Sequence, residues 1–271
     1  SRGTGTEKSG VVVSRRGLES VRRGHPWIYS SAVVQKSSAR GEPSEAAGAI
    51  VDILDESGQN VGCGIWDPVS PIAVRVWSLE PGARLDASMF RARLERAIAI
   101  RQRLFVDGKT TAYRLLNGEG DRAPGFVMDR YADVAVLRID GDAARAVSPL
   151  LLREIEAPLR AIGITTLLER TGRRGEATEV RPRFGPMRDK VEVMEHGVPF
   201  VVDLVHGQKT GAFLDQRENR RRIGALVARH VRASSGRPVR VLNLFSYTGG
   251  FSLHAALAGG TVTSVDVAMA A

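Results

Sequence analysis

Cysteine is almost missing from this chain: Cys63 is the single thiol in 271 residues. One thiol cannot close an internal disulfide, which excludes a disulfide-stapled scaffold and points to a reducing compartment. Long apolar runs are missing too. No stretch of about 18 apolar residues occurs, so no membrane-spanning helix is expected. The opening Ser1-Arg2-Gly3-Thr4 carries no apolar h-region, so the expectation is a cytoplasmic protein without a secretory leader. Neither a His/Cys spacing suited to a metal nor a Ser/His/Asp signature is found, and no metal is expected. Lysine is scarce, at five of the 39 cations, the other 34 being arginine. A GC-rich genome gives arginine excess without functional demand, so the distribution of charge informs more than its total.

What is present is globular. Hydrophobic residues make up 43% and charged residues 25%, which excludes disordered and fibrous classes. The length suits two domains, or three small ones. Net charge is +9, and it is clustered. Residues 1–30 hold six cations against two acids, and residues 217–240 hold eight arginines against one acid. Clusters of one sign attract a polyanion and release its counterions, making nucleic acid the expected partner. Charge alone does not separate RNA from DNA.

Short apolar runs at 11–13, 49–54 and 72–77, separated by glycine and proline turns, predict a small β-rich unit to about residue 80. Trp27 and Tyr29 are read as core side chains there. A helix starting at Asp86 or Ser88 follows, with Phe90, Leu94, Ala97 and Ile98 at helical spacing. Strand-like runs at 134–139 and 165–169 flank a helix expected over 148–162, which suggests a compact α+β unit across 81–190. Near residue 191 the pattern changes to a hairpin turning at His196-Gly197, then to an arginine-rich helix.

The chemistry-bearing segment is 239–266. Val239 to Phe245 reads as a buried strand, Ser246-Tyr247-Thr248-Gly249-Gly250 as a tight turn, 251–258 as an apolar helix, and 261–265 as a second strand ending at Asp266. This is the front half of a nucleotide-binding βαβ unit: glycines admit a ligand close to the backbone, and a strand-end acid can accept both ribose hydroxyls. A nicotinamide-dependent oxidoreductase is the first competitor. It needs Gly-x-Gly-x-x-Gly to seat a pyrophosphate, and Tyr247 and Phe251 stand where small residues are required. An adenosine ligand without phosphates, S-adenosylmethionine, fits the turn better.

Two long motifs, Gly207-Gln208-Lys209-Thr210-Gly211-Ala212-Phe213-Leu214-Asp215-Gln216-Arg217 and Asn243 to Ser252, resemble the class I methyltransferases of large-subunit ribosomal RNA that carry a PUA domain and make 5-methylcytosine. Arg23-Gly24-His25-Pro26-Trp27-Ile28-Tyr29 and Asn117-Gly118-Glu119-Gly120-Asp121 extend the similarity over nearly the whole chain. The resemblance implies an α/β plus α+β architecture. It has a PUA-like RNA-binding domain over 1–80, a central α+β domain over 81–190, and the start of a Rossmann-like methyltransferase domain over 191–271. It implies S-adenosyl-L-methionine as cofactor, with Lys209, Thr210, Gly211 and Phe213 beside its methionine half. Asp215 and Arg217 would fix the loop, Phe245, Tyr247, Thr248 and Gly249 would line the centre, and Asp266 would hold the ribose. Arg15, Arg16, Arg22, Arg23 and His25 would meet phosphates of large-subunit ribosomal RNA. No membrane partner is implied, and a homodimer is left open.

The same resemblance leads us to expect an incomplete catalytic domain. A full methyltransferase sheet needs roughly 100 further residues beyond two strands. Carbon 5 of cytosine is a poor nucleophile until a thiolate adds at carbon 6. The family's Asp-Pro-Pro loop and nucleophilic cysteine have no counterpart here, and Cys63, between Gly62 and Gly64, is read as a small buried residue. No catalytic residue is therefore assigned, the fragment by itself is expected to be inactive, and one face or edge of its βα unit is expected to be open and prone to association. A non-catalytic RNA-binding protein is the rival reading.

Overall fold

The computed structural model describes residues 9–35, 46–172, 178–235 and 237–267. Turn-bounded β-branched runs fold as β1 (Gly10–Val13), β2 (Trp27–Tyr29), β3 (Val33–Gln35), β4 (Ile50–Leu54), β5 (Asn60–Trp66) and β6 (Ile72–Ser78). They form one sheet in the order β2-β6-β5-β4-β1-β3, antiparallel except where β1 meets β4. Helix α1 (Arg15–Arg22) starts because Ser14 Oγ accepts the Gly17 N–H at 3.3 Å. Its Leu18 and Val21 sink onto Val11, Val13, Ile53 and Trp66. Cys63 is fully buried on β5, in a second core where it and Trp77 of β6 join Phe90 and Phe126 of the middle unit.

Asp86 caps α2 (Ala87–Leu104) through the Met89 N–H, 3.0 Å from its Oδ1. The apolar stripe Phe90, Leu94, Ala97 and Ile98 is buried, as 3.6-residue periodicity demands. The middle sheet contains β7 (Ala112–Asn117), β8 (Phe126–Tyr131), β9 (Val134–Ile139), β10 (Thr166–Thr171) and β11 (Glu179–Phe184), with only β9 and β10 parallel. The single helix expected over 148–162 is two: α3 (Asp142–Leu151) and α4 (Glu156–Ala161), joined by a 3-10 turn. Two prolines explain the correction. Pro149 removes an N–H late in α3, and Pro158 sits in the first turn of α4, where a missing N–H costs nothing.

The hairpin β12 (Lys190–Glu195) and β13 (Val198–Asp203) turns through His196 and Gly197, both at positive φ, the pattern of a two-residue type I′ loop. Its Val191, Val193 and Val202 pack on Ala112, Tyr131 and Val136, so a common core runs across residue 190. Beyond it lie α5 (Arg217–Ala233), β14 (Val239–Leu244), α6 (Gly250–Leu257) and β15 (Gly260–Val265). β14 and β15 are parallel neighbours with α5 and α6 on one face. The opposite face leaves Leu242, Leu244 and Val265 exposed. Among the described residues no helix is long and apolar enough to cross a membrane.

Candidate functional site

Beyond β14 the backbone reverses sharply. Phe245 (φ +58°) and Tyr247 (φ +48°) occupy the left-handed region although neither is glycine, and Gly249 (φ +79°) follows as the residue capping α6. Three bonds hold this corner. The Ser246 N–H donates to Val265 O (3.1 Å), the Tyr247 N–H to Asp266 Oδ2 (2.7 Å), and the Gly249 N–H to Ser246 O (2.9 Å). They bring Asp266, at the end of β15, to the same side as the glycine turn. Gly250 is dictated by packing, since a Cβ there would stand 2.8 Å from Arg220 Cδ.

Residues 207–216 run past the corner as a strap. The Gln208 N–H donates to Tyr247 Oη at 2.9 Å, and the rings of Phe213 and Tyr247 meet edge-on with centroids 5.3 Å apart. Strap, corner and the β12–β13 hairpin line a cavity of about 650 Å³, whose walls include Phe200, Phe213, Phe245, Tyr247 and Phe251. That is within the range of small-molecule sites.

Of the eleven residues that the resemblance assigns to the cofactor, Phe213, Phe245, Tyr247, Thr248 and Asp266 line this cavity. Lys209, Asp215 and Arg217 instead line an adjoining cavity of about 480 Å³, against α2 and β7. Lys209 Nζ is 2.8 Å from Asp215 Oδ1, and this bond holds the Asp215 carboxyl below the usual carboxylate range. Thr210 is buried toward the middle sheet, its hydroxyl within hydrogen-bond distance of Tyr131 Oη and Asp129 Oδ2. Gly211, at φ +141°, shapes the strap.

The cavity floor contains three residues that carried no assignment from sequence. Arg220 donates from Nε and Nη2 to the two carboxylate oxygens of Glu195, at 2.6 and 2.5 Å, and from Nη2 to Phe213 O at 3.0 Å. His254 Nε2 stands 3.3 Å from Glu195 Oε1, without hydrogen-bond alignment. All three side chains are buried. Burial alone raises a carboxyl's pKa, but the Arg220 fork and the neighbouring His254 overcome it and hold Glu195 below its ordinary range. In the sequence Arg220 is one cation among eight. The signal that separates it is helical spacing: Arg220, Gly224, Val227 and Val231 share one stripe of α5 that faces inward.

In the first unit, Arg15, Arg16, Arg22 and Arg23 are exposed along α1, where Arg15 and Arg23 both approach Glu19. His25 is half-buried, its ring 5.8 Å from Trp27 and 5.6 Å from Tyr29. Trp27 and Tyr29 correct the expectation of core placement. Strand alternation buries Ile28 and turns both neighbours outward, leaving Trp27 half-buried and Tyr29 exposed.

Comparison with known proteins gives two family matches. Residues 11–79 match the PUA-like domain family, and residues 155–271 match the S-adenosylmethionine-dependent methyltransferase family. The ribosomal RNA large subunit methyltransferase of Deinococcus radiodurans is 39% identical over 269 residues, covering 94% of this chain and 62% of that protein. Ribosomal RNA large subunit methyltransferase I of Shewanella denitrificans is 35% identical, covering 92% and 60%, and that of Escherichia coli is 33% identical, covering 96% and 63%. The chain thus spans about three fifths of the curated relatives it matches. Among solved structures, a protein described as a SAM-dependent methyltransferase from Streptococcus mutans superposes with a TM-score of 0.75 at 23% identity, covering 96% of this chain and 64% of the other. A methyltransferase complexed with SAH gives the same TM-score and identity, covering 96% and 63%. The chain joins a PUA-like domain to the Rossmann-like fold of the S-adenosylmethionine-dependent methyltransferases.

Proposed function

We propose that this chain supplies the cofactor-binding and RNA-contacting parts of an S-adenosylmethionine-dependent methyltransferase of large-subunit ribosomal RNA, with 5-methylcytosine as the product. One observation carries the cofactor reading. Asp266 is tied to the left-handed corner by the Tyr247 N–H, so a strand-end carboxylate and a glycine turn converge on one cavity that five aromatic rings help to line. The residues fit the group. Phe213, Phe245, Tyr247 and Phe251 offer flat apolar surface for a nucleoside, Asp266 an acceptor for ribose hydroxyls, and Arg220 and Glu195 a charged floor. When bound, the cofactor supplies an electrophilic methyl group on a sulfonium. The exposed arginines of α1 supply sequence-independent contacts to phosphate. The product assignment is supported by the two motifs that resemble cytosine-5 methyltransferases. No nucleophile is assigned within these residues, because Cys63 is sealed in the core of the first two units.

The test is calorimetric titration with S-adenosylhomocysteine. Micromolar binding is expected, weakened about tenfold or more by Asp266→Ala, since removing a charged hydrogen-bond partner costs about 1.5–3 kcal/mol. Absence of heat from the unsubstituted chain would refute the cofactor reading. Nucleoside mass spectrometry of ribosomal RNA from cells lacking the intact gene tests the product, with loss of 5-methylcytosine at one site expected.

A further inference from the structure

We propose that the smaller cavity, between the strap and α2, is a stacking subsite for a nucleobase of single-stranded RNA, placed beside the cofactor cavity. This rests on the reading of the chain as part of an RNA methyltransferase.

The cavity contains the end of a pile of flat groups. The rings of Phe105 and Tyr113 stack with centroids 4.2 Å apart and planes 18° from parallel. Tyr113 covers one face of Phe105, and the guanidinium of Arg217 lies 4.7 Å over the other. Arg130 Nη1 donates to Tyr113 Oη at 3.2 Å and so holds that ring by its hydroxyl end. Glu218 Oε1 accepts from Arg217 Nε at 3.1 Å and fixes the orientation of that plane. An oriented guanidinium lining a cavity is a surface on which an unstacked base can lie, and aromatic or arginine planes are the usual supports for splayed RNA bases.

Its polar lining and position agree. Four cations line the cavity, Arg101, Arg114, Lys209 and Arg217, and each is held by a carboxylate, Asp121, Asp129, Asp215 and Glu218 respectively, so the wall is polar, ordered and close to neutral. The Asn117 amide lies on the same wall and can address a base edge. Ala212 lines both cavities, so the partition is the strap alone. Lys209 and Phe213 mark its two sides: Lys209 opens to the smaller cavity and Phe213 to the larger, with Nζ 4.4 Å over the ring. A base stacked on Arg217 therefore sits one partition away from the cofactor, where a nucleotide flanking the methylated one belongs. A duplex cannot use the subsite, because its bases are already stacked.

The experiment combines binding and mapping on the 271-residue chain. Fluorescence anisotropy with a labelled ten-nucleotide single-stranded RNA of mixed sequence measures affinity for the unsubstituted chain, Phe105→Leu and Arg217→Lys. Both substitutions keep bulk or charge and remove a flat plane, and each is expected to weaken binding about tenfold. S-adenosylhomocysteine affinity should stay unchanged for Phe105→Leu. Its melting temperature should fall by only a few degrees, the cost of one stacked pair, so the variant is still folded at the temperature of the binding assay. Photocross-linking with 4-thiouridine RNA should label the peptide spanning residues 104–117. Unchanged RNA affinity in both variants, or cross-links confined to other peptides, would overturn the subsite alone. An unsubstituted chain that binds S-adenosylhomocysteine but no RNA would overturn the substrate reading as well.

Discussion

The buried pair Glu195–Arg220 gives a prediction with a worked magnitude. Glu195→Ala leaves the Arg220 guanidinium buried with Phe213 O as its remaining hydrogen-bond acceptor. Breaking one side of a buried, bidentate ion pair costs about 3–5 kcal/mol, because the surviving charge stays desolvated. For a chain of this size that corresponds to a fall of about 10 °C in the melting midpoint of the unit containing it. The double variant Glu195→Leu with Arg220→Met removes both charges and fills similar volume, so it should recover most of the loss. Differential scanning calorimetry reads both. A single variant that melts within 2 °C of the unsubstituted chain, or a double variant that falls as far as the single one, would show that the pair does not carry the floor. The pH dependence follows from the same geometry. Glu195 titrates lower in the folded than in the unfolded state. Its contribution is therefore fully present above the unfolded value, about 4.3, and is lost as pH falls through the lower folded value. The double variant should lose stability less steeply below pH 4.

Gly250→Val should weaken S-adenosylhomocysteine binding and lower the melting midpoint together, since its Cβ would press on Arg220 Cδ; calorimetry and titration of one sample check both. Ser14→Ala removes the acceptor for the Gly17 N–H and should cost about 1 kcal/mol of stability in the first unit, read by urea denaturation. Replacing Arg16 and Arg22 by alanine should weaken RNA binding for all sequences alike and reduce the slope of log K against log salt by about 1.4, or 0.7 for each lost phosphate contact to a single strand. Phe90→Ala, which empties the contact with Trp77 and Phe126, should destabilise by about 3–5 kcal/mol while leaving the cofactor cavity intact.

Much of the fold was legible because local rules decide it. The His196-Gly197 turn, the Asp86 cap and the strand–glycine–helix–strand run at 239–265 each carry their signal within a few residues. Where reading failed, a local rule was overridden or incomplete. Periodicity across 148–162 concealed two helices because Pro149 and Pro158 act on backbone hydrogen bonds rather than on hydropathy. Tyr29 looks apolar enough for the core, yet alternation assigns that face to Ile28. The cavity floor was illegible for a different reason. Glu195, Arg220 and His254 meet across 25 to 59 residues of chain, and no one-dimensional spacing encodes that meeting. The resemblance sets Lys209, Thr210, Gly211 and Phe213 together beside the cofactor, but their side chains diverge. Positive φ at Lys209 helps turn its ammonium away from the larger cavity that Phe213 enters.

Lys209, Phe245 and Tyr247 share a conformation that suits glycine, and all three flank the two cavities. Each such residue carries a conformational penalty of about 1–2 kcal/mol, so the fold tolerates local tension in order to aim these side chains. Relaxing that tension by exchange to glycine would harden the scaffold while dulling its grip on ligand. Thermal robustness and affinity would then move in opposite directions at the same three positions.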